Sequence, residues 1–215
     1  TTGAAQKTRF ITSRVYPHDI VLSKLKFSPE REYSNPLLTR RGLVSTLSLM
    51  LIAVLPGSFD PPTNGHLNLI HRASKIFDKL HLVIAVNPRK EYLFSGDERR
   101  ALMEGLVRDC DNVEVHLWDR LIVEFVREVG AKVIVRGVRA LADFGYEFEL
   151  AMTNQTLSPE IETIFMPTDP KYFVLRSSAI KEIAMLGGKI TSMVPKIVAE
   201  KLDQRLNGGG KSILR

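Results

Sequence analysis

One run of residues concentrates groups suited to phosphate chemistry: Pro56-Gly-Ser-Phe-Asp-Pro-Pro-Thr-Asn-Gly-His66, set between an apolar stretch and an amphipathic one. Gly57 lets a ligand approach the main chain, and Ser58 supplies a hydroxyl donor. A helix opening near Asn64 to His66 would point its unpaired amides and the positive end of its dipole outward. His66 falls on that first turn, where its ring can donate to an anionic oxygen, and Gly65 keeps the approach clear. Taken alone, His66 would read as a solvent-facing histidine at a helix start; the residues before it favour a ligand role. Lys90 follows a second apolar run, and Arg136 ends another just before Gly137, so both basic groups stand where a strand gives way to a loop. Asp143 reads as the cap of the helix that follows.

Groups spread this widely along a chain meet only if strands deliver them to one edge. From Leu51 onward short apolar runs alternate with longer amphipathic ones, the signature of βαβ units. Strands are predicted at Leu51–Leu55, Leu80–Val86, Val113–Leu117, Lys132–Arg136 and Ile161–Met166. Helices are predicted after His66, from the capping box Ser95-Gly-Asp-Glu98 to about Arg108, over Leu121–Val129 with Gly130 closing it, over Asp143–Thr156, and over Ser177–Leu186 and Pro195–Leu206 at the C-terminal end. The expected fold is α/β: a Rossmann-like, doubly wound, five-stranded parallel sheet with C-terminal helices. In such a sheet ligands bind beyond the carboxyl ends of the strands, which is where Ser58, Lys90 and Arg136 fall.

The chain has 215 residues, 44% hydrophobic and 25% charged, enough for one well-buried core. Residues 1–49 show no sustained period and read as an extension, tag-like, disordered or a mis-called start, rather than a targeting segment; 50–206 read as the folded domain and 207–215 as a flexible tail. The net charge of +6 is concentrated in that extension, which holds eight basic and three acidic residues and leaves 22 basic against 21 acidic in the remainder. A near-neutral body argues against a nucleic-acid-binding scaffold. No apolar run approaches the ~18 residues of a membrane span. The single cysteine, Cys110, excludes an internal disulfide or a cysteine cage, and a cytoplasmic protein is expected. His18, His71, His81 and His116 show no metal-ligand spacing and read as structural or exposed; Trp118 reads as packing.

The string from Gly57 to His66, with Thr63-Asn64-Gly65-His66 at its core, resembles the T/H-x-G-H motif of the nucleotidyltransferase superfamily, in the form seen in phosphopantetheine adenylyltransferases. The resemblance covers nearly all of residues 50–206. Asn87-Pro-Arg-Lys90 is similar to that family's lysine-bearing loop. Arg136-Gly-Val-Arg-Ala-Leu-Ala-Asp-Phe-Gly-Tyr-Glu147 is similar to its R-G-(L/V)-R-A-x-x-D-F-x-Y-E segment, the most specific signal in the chain. Arg176-Ser-Ser-Ala-Ile-Lys-Glu182 resembles its last nucleotide loop, although Arg176 stands where a serine is usual. Nicotinate-mononucleotide adenylyltransferases and cytidylyltransferases would share the first string, and the Arg136–Glu147 segment speaks against them.

The resemblance implies transfer of AMP from ATP to 4'-phosphopantetheine by in-line displacement, without a covalent intermediate. It implies His66 and Ser58 as the catalytic pair. It assigns Ser58, Lys90, Leu121, Ile122 and Arg136 to phosphopantetheine. To ATP it assigns Ser58, Phe59, His66, Gly137, Val138, Arg139, Glu147, and the stretch Tyr172, Phe173, Val174, Leu175, Arg176, Ser177 and Ser178. It further implies magnesium (Mg2+) carried on the ATP phosphates with no metal ligand from the protein, a homohexamer, and coenzyme A as a feedback inhibitor.

Overall fold

The computed structural model describes residues 50–173 and 176–207. The predicted extension over 1–49, residues 208–215 of the predicted tail, and Val174 and Leu175 lie outside the described residues; Asn207, expected in that tail, ends the last helix instead. Five strands form one parallel sheet: β1 (Ile52–Gly57), β2 (Lys79–Ala85), β3 (Val113–Trp118), β4 (Val133–Val138) and β5 (Glu162–Pro167). Helices α1 (Asn64–Ala73), α2 (Gly96–Leu106), α3 (Ile122–Glu128) and α4 (Leu141–Leu157) connect them, and α5 (Ser177–Met185) and α6 (Lys196–Asn207) follow.

The strand order is β3-β2-β1-β4-β5, so the chain builds outward from β1 and then crosses back to add β4 on its other side. Between β1 and β4 the connections diverge to opposite faces, opening a crevice at their carboxyl ends. The continuous apolar runs are explained by two-sided burial: Leu80, Leu82 and Ile84 of β2 pack with Ile70, Phe77 and Met103, while Val83 packs with Val54, Val123, Val126 and Ile134 on the α3 face. A third cluster joins Phe94 and Leu102 to Ile180, Ile190, Val198 and Leu202, fastening α5 and α6 to α2. No helix among the described residues is long and apolar enough to cross a membrane.

Local signals act where expected. Ser95 Oγ accepts from the Glu98 amide at 3.2 Å, and the Glu98 carboxylate accepts from the Ser95 amide at 2.8 Å, completing the predicted capping box. Gly130 adopts φ 67° just beyond α3. Most boundaries shift by one or two residues; β1 runs on to Gly57 and β4 to Val138, so Arg136 lies inside its strand rather than at the end. Helix α2 ends at Leu106, short of Arg108, and α4 opens at Leu141, before Asp143. Pro195 lies immediately outside α6, its carbonyl accepting from the Val198 and Ala199 amides. A 3-10 turn at Pro170–Tyr172, capped by the Asp169 carboxylate on the Lys171 amide at 2.9 Å, has no counterpart in the predicted elements.

Candidate active site

The loop between β1 and α1 carries the first functional string, and its backbone is unusual. Phe59 adopts φ 47°, a left-handed conformation rare for a bulky residue. Its ring turns back over Gly57, where an added Cβ would lie 2.8 Å from the ring, so any side chain there would have to displace it. The same ring meets His66 edge-on at 5.1 Å between centroids. Buried groups hold this loop down. The Asp60 carboxylate accepts from the Leu93 and Phe94 amides at 2.9 and 3.0 Å and from Lys181 Nζ at 2.9 Å. Arg99, only 1% exposed, donates to the Ser58 carbonyl at 2.7 Å and to the Phe94 and Ser95 carbonyls.

His66 closes a second capping box. Thr63 Oγ1 accepts from the His66 amide at 3.2 Å, and the Thr63 amide donates to His66 Nδ1 at 3.1 Å. Because Nδ1 is the acceptor, the neutral ring carries its hydrogen on Nε2. Burial, with the nearby Arg139 guanidinium, pushes the pKa of His66 down to about 4. Near neutral pH the ring is therefore an uncharged Nε2–H donor.

Twelve of the residues assigned by resemblance line one cleft of about 540 Å³ at the β1/β4 crevice: Ser58, Phe59, His66, Lys90, Arg136, Gly137, Arg139, Glu147, Tyr172, Arg176, Ser177 and Ser178. The first turns of α1 and α5 both contribute to it. Lys90, from the loop after β2, donates to Ser58 Oγ at 3.2 Å, so the two groups already share one location. Arg136 donates through Nε and Nη2 to both oxygens of Glu147, at 2.5 and 2.9 Å, and through Nη1 to the Pro56 carbonyl at 2.8 Å. Glu147 is thus held by Arg136 in this structure. Two of the five guanidinium hydrogens of Arg136 remain for a ligand. Five cationic side chains (Lys90, Arg136, Arg139, Arg176, Lys181) face three carboxylates (Asp60, Asp143, Glu147) across the cleft, a balance suited to a polyanion.

Other expectations fare differently. Leu121, Ile122, Val138 and Phe173 are not among the lining residues; Leu121 is exposed, and its carbonyl accepts from Trp118 Nε1 at 3.0 Å. Asp143 is not the helix cap: Ala140 precedes α4 without a side-chain cap, and the Asp143 carboxylate instead pairs with Arg139 at 3.0 Å and Arg176 at 3.5 Å. Two guanidinium groups outcompete a single backbone amide for it. Nor are all the remaining histidines isolated, since the β2–β3 register brings His81 Nδ1 within 2.9 Å of His116 Nε2. Trp118 packs as expected, edge-on to Phe125 at 5.1 Å. Asp60, Leu150 and Lys181 line the cleft without having been singled out from sequence; Asp60 stood inside the quoted string and Lys181 inside the last one.

A parallel α/β sheet with a cationic cleft at its switch point is the architecture of the nucleotide-transferring class, and residues 54–183 match the cytidylyltransferase-like family. The chain is 50% identical over 158 residues, 74% of its length and 99% of the relative's, to the phosphopantetheine adenylyltransferase of Clostridium tetani. To that of Caldanaerobacter subterraneus subsp. tengcongensis it is 47% identical over 156 residues, 73% of its length and 98% of the relative's. The chain belongs to the phosphopantetheine adenylyltransferase family, within the cytidylyltransferase-like group. A crystal structure described as a putative nicotinate-nucleotide adenylyltransferase from Vibrio parahaemolyticus shares the fold at 21% identity and a TM-score of 0.54, over 72% of this chain and 99% of that one.

Proposed function

We propose that this protein transfers AMP from ATP to 4'-phosphopantetheine, forming dephospho-coenzyme A and releasing pyrophosphate. One acceptor oxygen forms a bond to the α-phosphorus while the bond to the bridging oxygen of pyrophosphate breaks. The observation that carries the reading is the convergence of Ser58, His66 and Lys90 in one cleft, from a chain half identical to enzymes of that name. No protein nucleophile is required, so the work lies in positioning and in meeting charge as it shifts.

In this reading the acceptor phosphate enters between Lys90 and Ser58, replacing the contact they now make with each other. Lys90 acts as a point charge, and Arg136 adds its two uncommitted N–H groups, with its plane fixed by Glu147. His66 Nε2–H donates to the α-phosphate, where negative charge accumulates; a preorganised donor of this kind is worth about 3 kcal/mol in the transition state. Arg139 and the first turn of α5 around Ser177 and Ser178 receive the nucleotide phosphates. Leu150, on α4, offers apolar surface at the cleft wall for the acceptor arm.

The donor set fits a metal carried in by ATP rather than one caged by protein. All three carboxylates lining the cleft are already engaged: Asp60 by Lys181, Asp143 by Arg139 and Arg176, and Glu147 by Arg136. Magnesium bridging the triphosphate would neutralise charge on the departing pyrophosphate. A homohexamer, coenzyme A as feedback inhibitor, a cytoplasmic location and confinement of the activity to residues 50–206 belong to the same proposal. Alignment of the relatives over 158 residues supports the last of these.

The test is incubation with ATP, magnesium and 4'-phosphopantetheine, following dephospho-coenzyme A and pyrophosphate together. Equimolar formation of both is expected. Adenylation of nicotinate mononucleotide in its place would refute the acceptor assignment while leaving AMP transfer intact.

A further inference from the structure

Outside the cleft, two neutral-capable imidazoles and a carboxylate converge on the α3 face of the sheet. His81 of β2 pairs in register with Glu114 of β3, and His116 lies two residues further along β3 on the same face. His81 Nδ1 and His116 Nε2 are 2.9 Å apart, and Glu114 Oε2 lies 3.6 and 3.7 Å from them. We propose that His81, Glu114 and His116 form a binding site for one divalent transition-metal ion, with zinc the best-fitting case.

Geometry carries the proposal. A point equidistant from three atoms at those separations lies about 2.0 Å from each, which is the length of a Zn–N or Zn–O bond. The donors therefore need to move only slightly to close on an ion, and two imidazoles with one carboxylate form the ligand set common in open zinc sites. Each neutral ring can present a lone pair inward and keep its hydrogen on its other nitrogen. In the absence of an ion the two rings satisfy each other by a hydrogen bond, so the site has no orphaned donor to penalise it.

The surroundings suit a fixed site with a way in. His81 is only 7% exposed, and the Phe125 ring from α3 packs against both imidazoles, at 6.0 and 5.0 Å between centroids. Glu114 and His116 reach solvent, giving an ion access from the β3 edge. Lys79 pairs with Glu114 through Oε1, which turns Oε2 toward the histidines and also places a competing cation beside the site. None of the three donors lines the cleft. A bound ion would tie edge strand β3 to β2, so its effect falls on stability rather than on AMP transfer.

The experiment uses the full chain stripped of metal and titrated with zinc chloride in a calorimeter, and with cobalt(II) in a spectrophotometer. One equivalent per chain, a saturable rise in melting temperature of several degrees, and visible cobalt absorption of four-coordinate intensity are expected. His116→Ala and Glu114→Gln should each weaken zinc binding at least tenfold, with AMP transfer within about twofold of the parent. Lys79→Met keeps every donor and should tighten binding severalfold, which separates loss of a ligand from loss of folding. Trp118, the lone tryptophan, lies two residues from His116 and should lose fluorescence as cobalt binds. Zinc uptake with unchanged affinity in His116→Ala, or no saturable uptake by the parent chain, would overturn the site.

Discussion

At His66, one hydrogen bond decides the chemistry. The Thr63 amide occupies Nδ1, which leaves Nε2–H as donor, and burial beside Arg139 keeps the ring neutral down to about pH 4. A group whose folded pKa is depressed below its unfolded value of about 6.5 lowers stability where the unfolded chain takes up a proton and the folded chain does not. Stability should therefore fall as pH drops from about 6.5 toward 4. Denaturant titrations at pH 7 and pH 5 should show His66→Ala losing about 2 kcal/mol less over that interval than the parent chain. The same substitution should cut kcat about 100- to 1000-fold with little change in ATP affinity, the mark of a contact made only in the transition state. A large rise in the ATP dissociation constant with kcat preserved would instead make His66 a ground-state ligand.

Among the elements, what could be read from sequence was local, and what could not was long-range. Ser95 and Glu98 are one turn apart, so their capping box follows from residue types alone, as do the positions of Ser58 and Lys90 in the loops after β1 and β2; Arg136, expected at a strand end, lies inside β4. Asp60 finds its partners 33, 34 and 121 residues away, and nothing near it announces them. His81 and His116, 35 residues apart, become neighbours only through the β2–β3 register. Asp143 looked like a cap because sequence shows the helix start but not the two arginines that the fold brings to it. Arg99 belongs to this hidden layer: it rises from α2 to hold the Ser58 carbonyl and pins the β1–α1 loop to the start of α2. Arg99→Met keeps much of the apolar volume and removes the donors. It should cost about 2 to 4 kcal/mol, since buried carbonyls lose their partners. Denaturant unfolding measures that loss, and kcat should fall with it because Ser58 is no longer held; full stability in Arg99→Met would show the arginine to be dispensable.

In the whole molecule, α4 is the least covered of the apolar helices that flank the sheet. It carries apolar residues around much of its circumference, the pattern of a helix covered on several sides, yet Leu141, Tyr146, Phe148, Met152 and Leu157 are exposed at 87, 63, 45, 43 and 47%. Apolar surface gathered along one helix is characteristic of an interface, and it would suit the proposed assembly from copies of this chain. The cleft residues Tyr146, Glu147 and Leu150 lie on the same helix, so covering α4 would also brace the wall against which the acceptor arm is expected to lie. Charge placed on the exposed side should therefore act on both properties. Phe148→Glu with Met152→Glu should shift the molar mass measured by light scattering from that of an oligomer to a smaller species. It should also raise the KM for 4'-phosphopantetheine more than that for ATP, because neither substituted residue lines the cleft and the effect must pass through the position of α4. An unchanged mass with both glutamates in place would show that this face is not where the copies meet.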